Sequence, residues 1–371
     1  MKYTKIKAIN EYVSESINPM KSPDTVFEMY SVPIFDTGHP EYLRGDEIAS
    51  NKVVVKKNDV LLCKINPRIN RVWVVADESE HINIASSEWI VVRNKSYNPH
   101  FLAWYFRSPR FKQLMVSEVT GIGGSLTRAQ PKAVAEYPVP VLARAEQDKI
   151  TIVLNKIASL IEARKQELRR LDELIKARFV ELFGDPVSNS KGLPIATLPE
   201  LGEFGRGVSK HRPRNDPKLL GGDYPLIQTG DVAAAELYIT DYSATYSELG
   251  LKQSKMWDKG TLCITIAANI AKTAILTFDA CFPDSVVGFM ANERTSNIFI
   301  HYWFSFFQAI LESQAPESAQ KNINLKILSE LRVINPSKEA QVEFESFVKQ
   351  VDKSKCDTSN ITSATQYQLA S

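Results

Sequence analysis

The sequence predicts an α+β protein with two homologous globular units, separated by long helices that pair as an antiparallel coiled coil. Three observations lead to this prediction: an internal repeat, short β-rich runs between turn residues in each copy, and a heptad pattern between the copies. At 371 residues the chain is long enough for two domains. Its composition, 44% hydrophobic and 24% charged residues with a net charge of +2, is that of an ordinary globular protein.

The internal repeat consists of four pairs of similar segments. KAVAEYPVPVLARAEQDKI at 132–150 resembles KILSELRVINPSKEAQVEF at 326–344. In this pair Gln147 aligns with Gln341, 194 residues later. Three further pairs keep the same order along the chain: VPIFDTG (32–38) with YPLIQTG (224–230), NDVLLCKI (58–65) with GTLCITI (260–266), and NPHFLAWYF (98–106) with NIFIHYWFSF (297–306). Because duplicated domains keep their order while their loops change length, the pattern indicates two homologous units.

The segment between the copies has the pattern of a long helix. From Arg144 to Phe183 it contains no glycine or proline. Hydrophobic residues recur every seven positions, at Leu154, Ile161, Leu168, Ile175 and Leu182. This repeat is typical of a coiled-coil seam, and the sequence FGDP (183–186) ends it. A second, shorter stripe at Ala340, Phe344, Phe347 and Val351 predicts an antiparallel partner in the same chain, with a homodimeric coiled coil as the alternative.

These patterns divide the chain into five segments. We expect globular domains at 1–143 and 187–336, a central helix at 144–186, a second helix at 337–356, and a disordered polar tail at 357–371. Because the second helix is predicted to be shorter than the first, a stripe on the first helix would have no partner within the chain. That stripe consists of Leu168, Leu171, Ile175 and Leu182.

Four segments of the sequence carry a likeness to a known family. They are GIGGSLTRAQPKAVAEYPVPVLARAEQDKI (121–150), LRRLDELIKARFVELFGDP (168–186), GRGVSKHRPRNDPKLLGGDYPLIQTGDV (205–232) and QKNINLKILSELRVINPSKEAQVEF (320–344). With the duplication, the chain resembles the specificity (S) subunit of type I restriction–modification systems almost throughout, up to about Lys355. The resemblance implies that each globular unit is a target recognition domain that binds one half of a bipartite DNA site. It also implies that the helices set the gap between the halves.

The resemblance also implies the partners and the location of the protein. The partners would be double-stranded DNA, two methyltransferase (M) subunits and restriction/motor (R) subunits, in the cytoplasm of a bacterium or archaeon. The partners would use S-adenosylmethionine, ATP and Mg, whereas this chain would have no cofactor, no metal and no catalytic residue. The sequence agrees, since it has no Asn/Asp-Pro-Pro-aromatic motif and its five histidines lack metal-ligand spacing. No apolar window is long enough to span a bilayer, so we expect no membrane contact.

Candidate DNA contacts lie in polar and basic loops, because Lys and Arg bind phosphates and polar side chains recognise base edges. The segment GRGVSKHRPR supplies Arg206, Ser209, Lys210, His211, Arg212 and Arg214. Equivalent loops of the two units supply Ser125, Thr127, Arg128 and Lys132, and Lys321, Asn322 and Asn324. For the binding of M subunits we predict the helical stripe Leu168, Leu171, Ile175 and Leu182.

Two other functions fit parts of the sequence. A stand-alone regulator with two DNA-binding modules could dimerise through the coiled coil. A nuclease with an unrecognised site would need metal-dependent turnover, and no motif indicates it. The aromatic segments around Trp104 and Trp303 could stack on bases, although we interpret them as the core-facing sides of helices.

Overall fold

The computed structural model describes residues 2–76, 79–117, 119–120, 127–267, 269–314 and 323–370. The chain forms two compact units: unit 1 is Met1–Arg164 with Asn360–Ser371, and unit 2 is Lys165–Ser359. The boundary between them falls within the central helix, so that each unit contains part of it.

Unit 1 is built from short strands, with its helices grouped towards its end. Its strands are β1 (Tyr3–Lys5), β2 (Ser16–Ile17), β3 (Val26–Tyr30), β4 (Glu41–Arg44), β5 (Lys52–Val54), β6 (Val60–Cys63), β7 (Val72–Val74), β8 (Ile82–Ala85), β9 (Trp89–Val92), β10 (Val119–Thr120), β11 (Arg128–Ala129) and β12 (Pro138–Pro140). Its α-helices are α1 (Ile6–Ile9), α2 (Pro99–Arg107), α3 (Pro109–Ser117), α4 (Pro131–Val134) and the start of α5 (Arg144–Phe183). Short 3-10 helices span Pro19–Lys21, Pro33–Thr37, Gly45–Glu47 and Pro67–Ile69.

Unit 2 repeats this plan. Its strands are β13 (Ile195–Thr197), β14 (Gly202–Arg206), β15 (Leu220–Leu226), β16 (Tyr238–Ile239), β17 (Ala244–Tyr246), β18 (Met256–Trp257), β19 (Leu262–Thr265), β20 (Thr273–Leu276), β21 (Ala280–Cys281), β22 (Val286–Ala291) and β23 (Arg332–Ile334). Its further helices are α6 (Leu198–Leu201), α7 (Thr229–Ala234), α8 (Glu248–Lys252), α9 (Asn297–Gln314), α10 (Leu325–Ser329) and α11 (Lys338–Ala370), with a 3-10 helix at Pro217–Leu219.

The strand pairing confirms that the two units are homologous. In unit 1, β6 pairs antiparallel with both β7 and β9, as β19 does with β20 and β22 in unit 2. The mixed sheets also correspond, since β4-β3-β8-β5 and β17-β15-β21-β18 each contain one parallel pair in the middle. The first and last strands of each unit pair as β1 with β12 and β13 with β23. The predicted α+β architecture and the duplication are therefore confirmed.

An equivalent buried glutamine lies in the first turn of the long helix that follows each unit. The Nε2 of Gln147 donates to the carbonyl of Leu142 at 2.9 Å, and the Nε2 of Gln341 donates to that of Pro336 at 3.0 Å. The Oε1 of Gln147 accepts the backbone N–H of Asn98, which caps α2. In unit 2 the Oε1 of Gln341 accepts the hydroxyl of Thr295 at 3.1 Å, just before α9. The repeated junction thus ties the start of each long helix to the aromatic helix before it.

The two long helices run antiparallel within unit 2, as predicted. Asp172 of α5 pairs with Lys355 of α11, and further along α5 Arg178 pairs with Glu343. Helix α5 ends at Phe183, where Gly184 adopts φ +74° and donates to the carbonyl of Val180.

The predicted end of the second helix is wrong. Helix α11 continues to Ala370, through the segment 357–371 that we expected to be a disordered tail. Serine and threonine residues there lower the intrinsic helix propensity only slightly and do not break a helix. The polar composition was therefore a poor guide to the helix end.

The aromatic helices pack mainly into the cores of their units. Phe101 and Phe106 of α2, and Phe299 and Trp303 of α9, are buried, which confirms the interpretation of the segment around Trp303. Trp104 differs, because it is only partly buried and its Nε1 donates to the Oδ1 of Asn155 at 2.8 Å.

Candidate nucleic-acid interface

The basic loop of unit 2 follows β14 and is fastened to the end of α8. The hydroxyl of Ser254 donates to the carbonyl of Val208 at 2.8 Å, and the backbone N–H of His211 donates to the Oε1 of Gln253 at 3.0 Å. The backbone N–H of Lys210 also donates to the carbonyl of Gln253. The loop backbone is thus held in place, and the guanidinium of Arg212 adds to this by donating to the carbonyls of Ser209 and His211.

The cations of this loop fall into two groups. Arg212 and Arg214 both pair with Asp284, and the Nε2 of His211 lies 3.2 Å from a carboxylate oxygen of Asp216. By contrast, Arg206 and Lys210 are exposed, and no ion pair of their side chains occurs among the residues that the structure describes. Arg206 and Lys210 therefore have the charge and the freedom needed to bind a phosphate.

Ser209 of this loop is buried. Its side chain lies inside unit 2 with 7% of the residue exposed, and its hydroxyl has no hydrogen-bond partner among the described residues. The backbone on either side of Ser209 is held by hydrogen bonds, and it directs the side chain of Ser209 into the unit. Ser209 is therefore not a surface residue in this structure, and its predicted DNA contact stays a prediction.

The candidates of the other loops lie in different settings. Thr127 is partly buried before β11, and Lys132 is exposed on α4. Arg128 pairs with Glu88 through two contacts of 3.2 and 3.3 Å. In unit 2 the Oδ1 of Asn324 accepts the backbone N–H of Ile327 and caps α10. The other three candidates, Ser125, Lys321 and Asn322, lie outside the described residues.

The sequence analysis missed the turn between β6 and β7. In this turn Asn66 and Asn70 adopt left-handed backbone conformations, at φ +46° and +57°, on either side of a 3-10 turn with an exposed Arg68. The backbone N–H of Asn66 donates to the carbonyl of Thr127 at 2.8 Å, which places the turn beside the predicted loop. The signal was the sequence NPRIN, whose two asparagines suit such a turn.

The predicted partner-binding stripe of α5 is covered by the chain itself. Ile175 is fully buried in the core of unit 2, and Leu171 and Leu182 pack against the same core, while Leu168 is partly buried. Phe179 brings its ring within 5.4 Å of that of Phe299 and 5.3 Å of that of Phe344. The expectation that this stripe lacks a partner within the chain is therefore wrong for Leu171, Ile175 and Leu182, which belong to or pack against a core that also contains residues of α9 and α11.

A polar cluster beside these helices is structural. The ammonium of Lys355 is almost completely buried between Asp172 and Glu236. Burial raises the pKa of the nearby Asp352 and lowers that of His301 to about 4, so His301 is neutral at pH 7. The Nδ1 of His301 lies 3.0 Å from the hydroxyl of Thr273. The Lys355–Asp172 pair joins α11 to α5, and the contact of His301 with Thr273 joins α9 to β20.

Metal sites and membrane-spanning helices are both absent from the described part of the chain. There, three or more His, Cys, Asp or Glu side chains never come together in a way that could hold a metal ion. Within the same ranges, each helix is too short or too polar to cross a membrane.

Comparisons with known proteins point to one family. Residues 196–365 match the family model described as the type I restriction modification DNA specificity domain. The chain is similar to the S subunit of a type I restriction–modification system from M. genitalium, with 12% identity, a TM-score of 0.56, and 99% and 93% of the two chains covered. It is also similar to a chain from a structure of type I R-M system assembly and conformational transition, with 17% identity, a TM-score of 0.55, and 100% and 95% covered.

Proposed function

We propose that this chain belongs to the type I restriction–modification DNA specificity family and is the non-catalytic subunit that selects the DNA sequence on which the complex acts. The observation that carries the proposal is the family match over unit 2, together with the repetition of the same strand order in unit 1. Each unit is then a target recognition domain.

In this proposal each unit binds one half of a bipartite site. The two units differ where they would meet DNA: unit 2 carries the exposed cations Arg206 and Lys210, and unit 1 carries Lys132 and the NPRIN turn with Arg68. Arg can pair bidentately with guanine. Different side chains on a common scaffold would let the two halves of the site have different sequences.

The long helices would set the gap between the half-sites. Helix α5 is continuous over 40 residues, which corresponds to ~60 Å at 1.5 Å per residue. Because α5 pairs with α11 inside unit 2, less of the hydrophobic stripe of α5 is left to form a homodimeric coiled coil. This favours a specificity subunit over a stand-alone dimeric regulator. The partners would be two methyltransferase subunits, which use S-adenosylmethionine, and restriction subunits, which use ATP and Mg.

The test of this function is a map of N6-methyladenine in a host that expresses the chain with its methyltransferase partner. We expect methylation at one two-part motif with a fixed gap, which is absent when the partner is expressed alone. Exchange of residues 187–336 for the equivalent domain of a related chain should change one half of the motif and leave the other intact. An unchanged methylation pattern, despite co-purification of the two proteins, would contradict the proposal.

The phosphate contacts of unit 2 can be tested through salt dependence. Each protein cation that binds a phosphate contributes about −0.9 to the slope of log K against log salt concentration. Replacement of Arg206 and Lys210 by Ala should therefore reduce the slope of the complex by about 1–2 and weaken binding to every sequence alike. The matched control, Lys349→Ala with Lys353→Ala, removes two exposed charges from α11 and should leave the slope unchanged. Equal slopes for the two double variants would exclude this loop from the interface.

A further inference from the structure

Each unit places a carboxylate in the turn that leads into an equivalent strand. Glu88 directly precedes β9 in unit 1, and Asp284 lies two residues before β22 in unit 2. The two turns are equivalent, because β9 and β22 pair antiparallel with the equivalent strands β6 and β19. The backbone N–H of Lys64 donates to the carbonyl of Glu88, and that of Ile266 donates to the carbonyl of Ser285, both at 3.0 Å. Glu88 and Asp284 therefore lie at the same place in the repeated fold.

An arginine reaches this turn in both units, but from different loops. In unit 1 it is Arg128 of β11, whose Nε and Nη2 donate to the two carboxylate oxygens of Glu88 at 3.3 and 3.2 Å. In unit 2 it is Arg214 of the basic loop after β14, whose Nη2 donates to the carboxylate of Asp284. The two arginines are not equivalent in the repeat. The same turn therefore receives a guanidinium through two independent routes of the chain.

The stability of the units does not explain these pairs. The side chains of Glu88 and Arg128 are 27% and 47% exposed, and those of Asp284 and Arg214 are 36% and 45% exposed. Ion pairs at such exposure contribute little to stability, because water screens the attraction. A carboxylate does, however, fix the orientation of a guanidinium at the end of a flexible side chain. The pairs therefore suit a positioning role.

The geometry leaves part of each guanidinium available. Arginine has five N–H donors in a planar fork. Glu88 occupies the edge formed by Nε and Nη2 of Arg128, and no other acceptor among the described residues bonds to this side chain. The edge formed by Nη1 and Nη2 can therefore bind a second pair of acceptors. Within the described ranges, the guanidinium of Arg214 likewise donates only through Nη2, to Asp284.

Arg212 has a different role, although it also lies near Asp284. Its Nη2 is 3.5 Å from a carboxylate oxygen of Asp284. Its Nη1 donates to the carbonyls of Ser209 and His211 at 2.6 and 2.9 Å. Arg212 therefore ties the basic loop to the turn, while Arg214 keeps donors for a ligand.

We propose that Glu88 and Asp284 are positioning residues that hold Arg128 and Arg214 for the recognition of a guanine, one in each half of the DNA site. This inference rests on the proposed function. A guanine presents O6 and N7 in the major groove, and one edge of a guanidinium matches this pair of acceptors. The carboxylates also make a phosphate contact unfavourable at the same place, because the formal charges of Arg128 and Glu88 cancel. Base recognition is therefore favoured over backbone binding for these arginines.

The test compares maps of N6-methyladenine for the full-length chain and its variants, each expressed with the methyltransferase partner. The exchange of residues 187–336 assigns each half of the motif to a unit. Arg128→Met should lower the preference for guanine at one position of the unit 1 half by about 5- to 150-fold, with the unit 2 half unchanged. Glu88→Gln should lower it at the same position by a smaller factor, because the arginine remains but is no longer held. Arg214→Met and Asp284→Asn should act in the same way on the unit 2 half.

A matched control removes a carboxylate elsewhere in unit 1. Glu136 is exposed and pairs with Lys5 and Lys7, so Glu136→Gln should leave the motif unchanged. The inference would be overturned by a half-site that contains no G·C pair. It would also be overturned if Arg128→Met reduced methylation at every site alike, which is the result expected for a phosphate contact or a merely structural pair. The two-part motif of the unchanged chain tests the proposed function separately, so that this inference can fail while that function holds.

Discussion

The substitution Phe179→Ala is expected to lower the free energy of unfolding of unit 2 by about 3–5 kcal/mol. Phe179 is completely buried and packs against the rings of Phe299, Phe306 and Phe344. Truncation removes the transfer free energy of the ring and leaves a cavity that three fixed aromatic neighbours cannot close. Urea denaturation followed by the fluorescence of Trp257 and Trp303 would measure the loss.

The neighbouring residue supplies the control for this prediction. Val180 is 41% exposed on the other side of α5, and Val180→Ala should change the free energy of unfolding by less than about 0.5 kcal/mol. Similar losses for the two variants would mean that α5 does not pack into unit 2. Ile175 is buried in the same core, and this changes the interpretation of the variant Ile175→Asp. A loss of association with a partner in this variant would result from disruption of unit 2, and not from removal of a docking surface.

Removal of Arg93 is expected to destabilise unit 1 by about 3–5 kcal/mol, because it leaves a buried carboxylate without its counter-ion. Asp59 is 1% exposed, and both of its oxygens accept hydrogen bonds of 2.7 Å from the guanidinium of Arg93. The backbone N–H of Lys56 is a further donor to this carboxylate, at 2.8 Å. The variant Arg93→Met keeps an unbranched side chain of the length of the aliphatic part of arginine and removes the charge and the donors. Its stability would be measured by denaturation in urea.

A second arginine of unit 1 makes a matched comparison. Arg128 also forms a two-contact pair with a carboxylate, that of Glu88, but Arg128 is about half exposed. Arg128→Met should therefore cost about 0–1 kcal/mol. Equal losses for the two variants would show that burial is not what makes the Asp59 pair important. Since Arg128 is also a candidate DNA contact, its small effect on stability makes it suitable for binding studies.

The sequence was a good guide to features that depend on local pattern and on the repeat. The heptads predicted α5 over nearly its observed bounds, and the two glutamine junctions marked equivalent strand-to-helix transitions. The repeat predicted two units of one fold without information on their strand order. These features are encoded by neighbours along the chain or by similarity between its halves.

Features that depend on distant contacts could not be predicted in the same way. A seven-residue repeat looks the same whether its seam faces a partner or the core of the chain's own domain, so the burial of Ile175 was missed. The partner of Arg128 is 40 residues away, and the burial of Ser209 depends on the loop at Gln253. The sequence composition therefore predicted the basic loop of the candidate interface. It did not predict which side chains of that loop are exposed and available to contact DNA.

The inclusion of the end of α5 in the core of unit 2 has a consequence for the exchange of this unit for a related one. A breakpoint in FGDP, just after Phe183, separates a domain from three of the side chains that complete its core. An incoming domain folds well only if its α9 counterpart accepts the resident Ile175, Phe179 and Phe183. An exchanged domain would therefore fold when the packed faces of α5 and of its α9 counterpart match. The loops that carry the candidate DNA contacts are free to differ.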